Sequence, residues 1–281
     1  MLREADRLAL VKLLTDDDPT VWRLLEERFA VMGQDGRDFL DDLLQTPETG
    51  AHRGAQWIKR SLQEREAAEA LAQFCAICDS PADLSRGCWF LAKTRYPELD
   101  ATAYEARVAE MAQELRARLT GRETPRGTIE VVNRHLFGTL GFRGNKRDYY
   151  DPDNSYLNRV LDRRLGIPIS LSVLYLLVGR RLHLPLSGVN LPGHFVIQWQ
   201  SRLAKFFIDP FNEGRVLTEA DCREYCTQMG LKFRSSSLSA ASTRQIMTRL
   251  CRNLHAIYTA NDPSRVPPLE RAIALLTAGA D

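Results

Sequence analysis

Apolar residues recur at helical spacing through roughly the first 120 positions of the chain, where the period stays near 3.6. Val21, Leu25 and Phe29 repeat every four residues behind Asp18-Pro19, an N-cap followed by proline at the first helical position, and Gly33 closes the segment. Helices are expected before it near Leu8 to Leu14 and after it near Phe39 to Leu44. A longer helix is predicted over Ala51 to Ile77, with Trp57, Ile58, Leu62, Leu71 and Phe74 as its apolar residues. Ser80-Pro81-Ala82-Asp83 reads as a capping box whose helix stops before Pro97. Asp100 then caps the clearest helix, in which Tyr104, Val108, Met111, Leu115 and Leu119 keep one face apolar as far as Gly121.

Thr120 to Gly127 is polar and rich in Gly, Pro and Arg, and is the natural linker. It divides a helical region at 1–121 from an α+β region at 122–235, followed by a helix pair at 236–281. A helix is expected over Ile129 to Leu140, then a loop from Gly141 to Asp153, with Asn154 capping a short helix that contains Leu157, Val160 and Leu161. A buried helix begins near Pro168, with Leu171, Leu174, Tyr175, Val178 and Leu182 on one face. After Pro185 the period changes to alternation, which marks the start of a sheet.

Phe195, Ile197 and Trp199 alternate with His194, Val196 and Gln198, and Ala204 to Ile208 form a second strand. A two-residue turn at Ser201-Arg202 pairs Gln200 with Leu203, and a four-residue turn pairs Trp199 with Ala204. Both place His194 opposite Asp209, on one face of the hairpin. An imidazole held beside a carboxylate has its tautomer fixed and its charged form stabilised. Such a pair needs a nucleophile, and the helix start around Pro168 to Ser172 offers only the hydroxyls of Ser170 and Ser172. Serine there is foremost a cap. A Ser-His-Asp arrangement through Ser170 is the alternative.

Composition narrows the classes. With 281 residues, 44% hydrophobic and 26% charged, the chain has ample material for a core. A net charge of +2 gives no overall pull toward nucleic acid or membrane. No segment approaches the roughly 18 apolar residues of a spanning helix. Met1 to Asp18 lacks the apolar run of a signal peptide, so the expected compartment is the cytoplasm. The six cysteines, at 75, 78, 88, 222, 226 and 251, are expected as reduced thiols. Cys75 and Cys78 form a C-x-x-C pair with Cys88 ten residues on. No second pair follows, so core packing is favoured over metal, and no cofactor is called for.

Three longer blocks carry a resemblance. Asn154-Ser-Tyr-Leu-Asn through Leu165-Gly-Ile-Pro-Ile-Ser-Leu-Ser, Val189-Asn-Leu-Pro-Gly-His194, and Ile208-Asp-Pro-Phe-Asn-Glu-Gly214 together resemble the SirB-type branch of the transglutaminase-like superfamily. The resemblance implies an α+β fold: an all-helical N-terminal region, a transglutaminase-like (papain-like) α+β domain and a C-terminal helical hairpin. In that superfamily a Cys at a helix start, a His opening a strand and an Asp or Asn on the next strand form a triad. His194 matches the His and Asp209 the Asp, while the Cys position falls at or near Ser170. Asn154, Tyr156, Asn190, Gly193 and Asn212, within the same blocks, are the candidates for the pocket wall.

The helices around Val21 to Phe29 resemble a HEAT-type repeat, and the last helices a tetratricopeptide-like hairpin, with stripes Ile246, Leu250, Leu254, Ile257, Tyr258 and Leu269, Ile273, Leu276. That pair is expected to pack on its own domain, with a protein partner on the helical regions as the alternative. The leading expectation is therefore a non-catalytic binding or scaffold protein with a cysteine-less triad. The alternative is an acyl-transfer enzyme using Ser170, His194 and Asp209.

Overall fold

A computed structural model describes residues 3–278. The chain divides into two compact units, one of Met1–Glu69 with Lys93–Pro97 and one of Ala70–Ala92 with Glu98–Asp281. This differs from the expected boundaries at 121 and 235. Helices from the N-terminal part and the C-terminal helix pair lie in the same unit as the sheet, and Thr120 to Gly127 is a short connection within that unit that leads into the first turn of a helix at Pro125.

The first unit is helical. It holds α1 (Glu4–Leu14), α2 (Pro19–Met32), α3 (Gln34–Gln45) and the first part of α4 (His52–Ile77). The Asp18 carboxylate caps α2 by accepting from Thr20 N, and Gly33 ends it with φ +58°. Leu14, Leu25, Phe29, Leu40 and Ile58 are among the buried residues of its core.

The second unit is built around α9 (Pro168–Arg181), whose first twelve residues are all buried. A helix apolar on every side belongs in the middle of a core. It packs against α6 (Ala101–Arg118), α8 (Leu157–Arg163), α11 (Thr243–Asn261) and strands β3 (Leu186–Val189) and β4 (Val196–Gln200). An antiparallel meander continues through β5 (Lys205–Asp209) and β6 (Arg215–Leu217). A two-residue parallel pair, β1 (Arg143–Gly144) with β2 (Leu165–Gly166), lies in the loop region that alternation alone does not mark as strand. α5 (Asp83–Lys93), α7 (Pro125–Asn133), α10 (Glu219–Gln228) and α12 (Val266–Thr277) complete the set.

Three local expectations change. The helix expected over Ile129 to Leu140 starts at Pro125 behind a Thr124 cap, and its last turn, Arg134–Thr139, is a π-helix. Asn154 does not cap α8. It ends a 3-10 turn, Pro152–Asn154, and its buried side chain accepts from Asn145 Nδ2 and donates to the Asp148 carbonyl. The β4–β5 register is also shifted: Ile197 faces Ile208 and Gln200 faces Lys205, across a loop of Ser201 to Ala204. The loop keeps its length because Ser201 Oγ accepts from the N–H groups of Leu203 and Ala204.

The final helices α11 and α12 pack on each other, and α11 also packs on α9. The Tyr258 hydroxyl of α11 lies 3.0 Å from that of Tyr156. Arg244 holds two helix ends together, donating to the carbonyls of Leu275, Leu276 and Ala278 at the end of α12 and to those of Cys75 and Cys78 at the end of α4. All six cysteines are buried thiols. Among the described residues, no three His, Cys, Asp or Glu side chains are grouped to hold a metal, and no helix is long and apolar enough to cross a membrane.

Candidate active site

Leu191-Pro192-Gly193-His194 turns the chain into β4. His194 N donates to the Leu191 carbonyl at 3.1 Å, and Gly193 takes φ +73°. Proline at the second position and a positive φ at the third are the demands of a type II turn, and glycine meets the latter without strain. The turn sets His194 immediately ahead of the strand. At the far end of the hairpin partner, Asp209 closes β5 and caps the 3-10 turn Pro210–Asn212.

His194 Nε2 lies 2.9 Å from Asp209 Oδ2. The observed register, continued by one pair, sets Asp209 across from Val196 rather than His194. The two residues are thus diagonal neighbours on one face instead of directly opposed. A shift of two residues preserves the face, and a shift of one would have lost it.

Asp209 accepts on both oxygens. Oδ1 takes the backbone N–H of Phe211 and Asn212, and Oδ2 takes Asn212 Nδ2 at 2.8 Å as well as His194. Burial pushes the carboxyl's pKa up, but the hydrogen bond and charge of His194 and the donors of Asn212 outweigh it, leaving it below the usual carboxylate value. An ionised carboxylate can only accept, so the ring proton sits on Nε2. Nδ1 lies on the side of the ring away from the carboxylate, and no hydrogen bond among the described residues engages it.

The ring is walled by aromatic groups. Tyr225 lies 5.1 Å away in a tilted contact and Phe211 lies 6.4 Å away, edge-on. The Tyr225 hydroxyl donates to the Gly193 carbonyl. These residues open onto a pocket of about 570 Å³ that also reaches Tyr149, Tyr150, Leu191 and Leu217. That volume suits a small ligand or a few residues of a peptide. A narrow cleft of about 10 Å³ continues behind the imidazole, between Pro168 and Ile169 at the start of α9 and Arg249 and Asn253 on α11.

Of the other expected wall residues, Gly193 and Asn212 line the pocket, whereas Asn154, Tyr156 and Asn190 lie outside its wall. Asn154 and Tyr156 are buried, and Asn190 accepts from Arg249 Nη1 at 2.9 Å.

Ser170 does not meet His194. It is 2% exposed, accepts from Ile167 N at 3.0 Å and donates to the Asn154 carbonyl at 2.5 Å. Its hydroxyl therefore caps α9 from the third helical position. The helix-start residues that share a cavity wall with the imidazole are Pro168 and Ile169. Tyr225, Tyr149 and Arg249 were not singled out from sequence. They come from separate segments, and no local spacing marks them.

The profile of the Transglutaminase-like superfamily matches residues 102–252. A UPF0162 protein of Xylella fastidiosa (strain Temecula1) is 38% identical over 192 residues, covering 66% of this chain and 68% of that protein. A UPF0162 protein of Pseudomonas aeruginosa is 29% identical over 211 residues, covering 73% and 76%. F-box only protein 21 of Homo sapiens is 34% identical over 169 residues, which are 57% of this chain and 25% of the human one. No solved structure matches the chain significantly.

Proposed function

The chain belongs to the transglutaminase-like superfamily and to the UPF0162 proteins, and on that footing we propose that it is a non-catalytic binding protein of the SirB-type branch. It keeps the superfamily's pocket and His–Asp pair without the nucleophile. One observation carries this reading: the α9 residues beside the imidazole are Pro168 and Ile169, and neither side chain can attack an acyl group. The nearest hydroxyl in sequence, Ser170, has both its lone pair and its proton engaged by backbone.

In this reading the dyad is an anchor. Asp209 fixes the ring so that Nδ1 presents a lone pair, which suits a ligand N–H or O–H. The aromatic wall supplies apolar contact around that single polar point, a common make-up for a small-ligand site.

The test is covalent. The full chain is incubated with fluorophosphonate, acyl-electrophile and iodoacetamide probes, digested, and mapped by mass spectrometry. No adduct is expected at Ser170. An adduct at Ser170 that disappears in His194→Ala would restore the acyl-transfer reading and end this one.

A further inference from the structure

Arg249 is a partly buried cation beside this pocket whose hydrogen bonding goes to a neutral partner, whereas Arg215 on the pocket wall is exposed to water. His194 and Asp209 engage each other. Asp221 accepts from Thr218, and Glu224 accepts from Gln228. Elsewhere in the same unit, partly buried arginines meet carboxylates: Arg107 with Asp162 at 2.6 Å, Arg163 with Asp151 at 2.6 Å, Arg159 with Asp153 at 3.0 Å. Arg249 instead has a single hydrogen bond among the described residues, from Nη1 to the amide oxygen of Asn190. A guanidinium carries five N–H donors in a planar fork matched to a carboxylate. Taking one partly out of water without a countercharge is unfavourable.

Its surroundings face the ligand space. Arg249 shares the cleft with Tyr149, Pro168, Gly193 and His194, and all four of those also line the larger pocket. The cleft is about one water molecule in size, so an anion would meet the guanidinium at its edge, on the Nη1 side that Asn190 engages.

We propose that Arg249 receives a carboxylate of the bound ligand at the rim of this cleft, displacing the Asn190 amide oxygen that holds the place. The inference rests on the reading of the pocket as a ligand site, and it names the ligand's chemistry. A carboxylate lies at Arg249, and an N–H or O–H donor reaches His194 Nδ1. Peptide chain ends and acidic side chains both offer that combination.

The experiment is a titration of the full-length chain followed through the guanidinium N–H resonances and the His194 ring signals. The probes are acetate, triglycine, triglycine amide, N-acetylglutamate α-amide and inorganic phosphate. Saturable shifts of the Arg249 signals are expected with the carboxylates and not with triglycine amide. Arg249→Gln should weaken binding roughly tenfold or more, and Arg249→Lys severalfold because it keeps charge but loses the fork. Stronger binding of triglycine identifies a chain end, and stronger binding of the glutamate compound identifies a side chain. Flat titrations, tighter binding of phosphate than of acetate, or carboxylate binding unchanged in a folded Arg249→Gln protein would overturn the assignment. A flat titration with Ser170 unlabelled removes only this inference, whereas labelling of Ser170 removes the non-catalytic reading whatever the titration gives.

Discussion

Nε2 of His194 and Oδ2 of Asp209 lie 2.9 Å apart across a hairpin whose register does not pair the two residues directly. The contact is made by a diagonal reach over one face, assisted by the Pro192-Gly193 turn at one end and the cap at Asp209 at the other. It is therefore a product of two turns as much as of two strands.

Asp209→Asn removes an ionised acceptor that serves four donors. A loss of about 2–3 kcal/mol at pH 7 is expected from urea unfolding, the range of hydrogen bonds to a buried charge. The folded-state pKa lies below the ordinary value, so the stabilisation is complete above the unfolded value of about 4 and is lost as pH falls through the folded one. The gap between wild type and variant should narrow in acid below about pH 4. A gap that stays constant there would show that the carboxyl's charge is not its source.

Ser170→Ala deletes the cap of α9 and leaves Ile167 N and the Asn154 carbonyl without their hydroxyl partner in a buried site. About 1–2 kcal/mol should be lost. The His194 ring resonances should barely move, because the hydroxyl is not bonded to the imidazole. A large displacement of those resonances would contradict the placement of Ser170.

Ile169→Cys places a thiol at a helix start, against the cavity wall that His194 also lines. Both the helix dipole and a protonated imidazole favour a thiolate. The native thiols give the background: burial pushes Cys75, Cys88 and Cys222 up to about 12. Iodoacetamide should alkylate position 169 well before any native cysteine, and more slowly when His194→Ala is added. Equal rates with and without His194 would separate that position from the dyad.

Gly144→Ala puts a Cβ 2.6 Å from the carbonyl oxygen of Phe211, too close to be absorbed by a side-chain rotation. Roughly 2 kcal/mol or more should be lost by overpacking. Phe211 stands edge-on to His194, so the ring signals of His194 should shift together with the fall in thermal midpoint. Normal stability would mean that β1 is not held against Phe211.

Much of this site is legible in local sequence. Leu191-Pro-Gly-His194 states its own turn, and Asp209-Pro states its own cap. The alternation in Phe195 to Trp199 marks the strand between the turns. What local pattern does not determine is register, because the Ser201 to Ala204 loop pairs Gln200 with Lys205, two residues further along β5 than the shorter turn would. The phase of α9 is likewise invisible. Whether Ile169 or Ser170 faces the imidazole depends on how a helix apolar on all sides rotates in its core, and periodicity carries no phase when every position is buried. Asn154 and Tyr156 belong to a block with the right residues, but their side chains are taken up by the buried loop around Asn145 and Asp148 and by Tyr258 of α11. Arg249 and Tyr225 reach His194 only through the docking of α11 and α10, a long-range event with no local mark. The early helices were easier to read, since Asp18, Gly33 and Asp100 punctuate them.

The fan of bonds from Arg244 has a consequence for how this unit opens. Each helix end presents a partial negative charge, and a single guanidinium answers those of both α4 and α12. Neither end can fray alone without stripping donors from the other. In native-state hydrogen exchange, the amides at the ends of these helices, widely separated in sequence, should therefore lose protection in one shared opening event. Arg244→Ala should split that event into two, with α12 exchanging first.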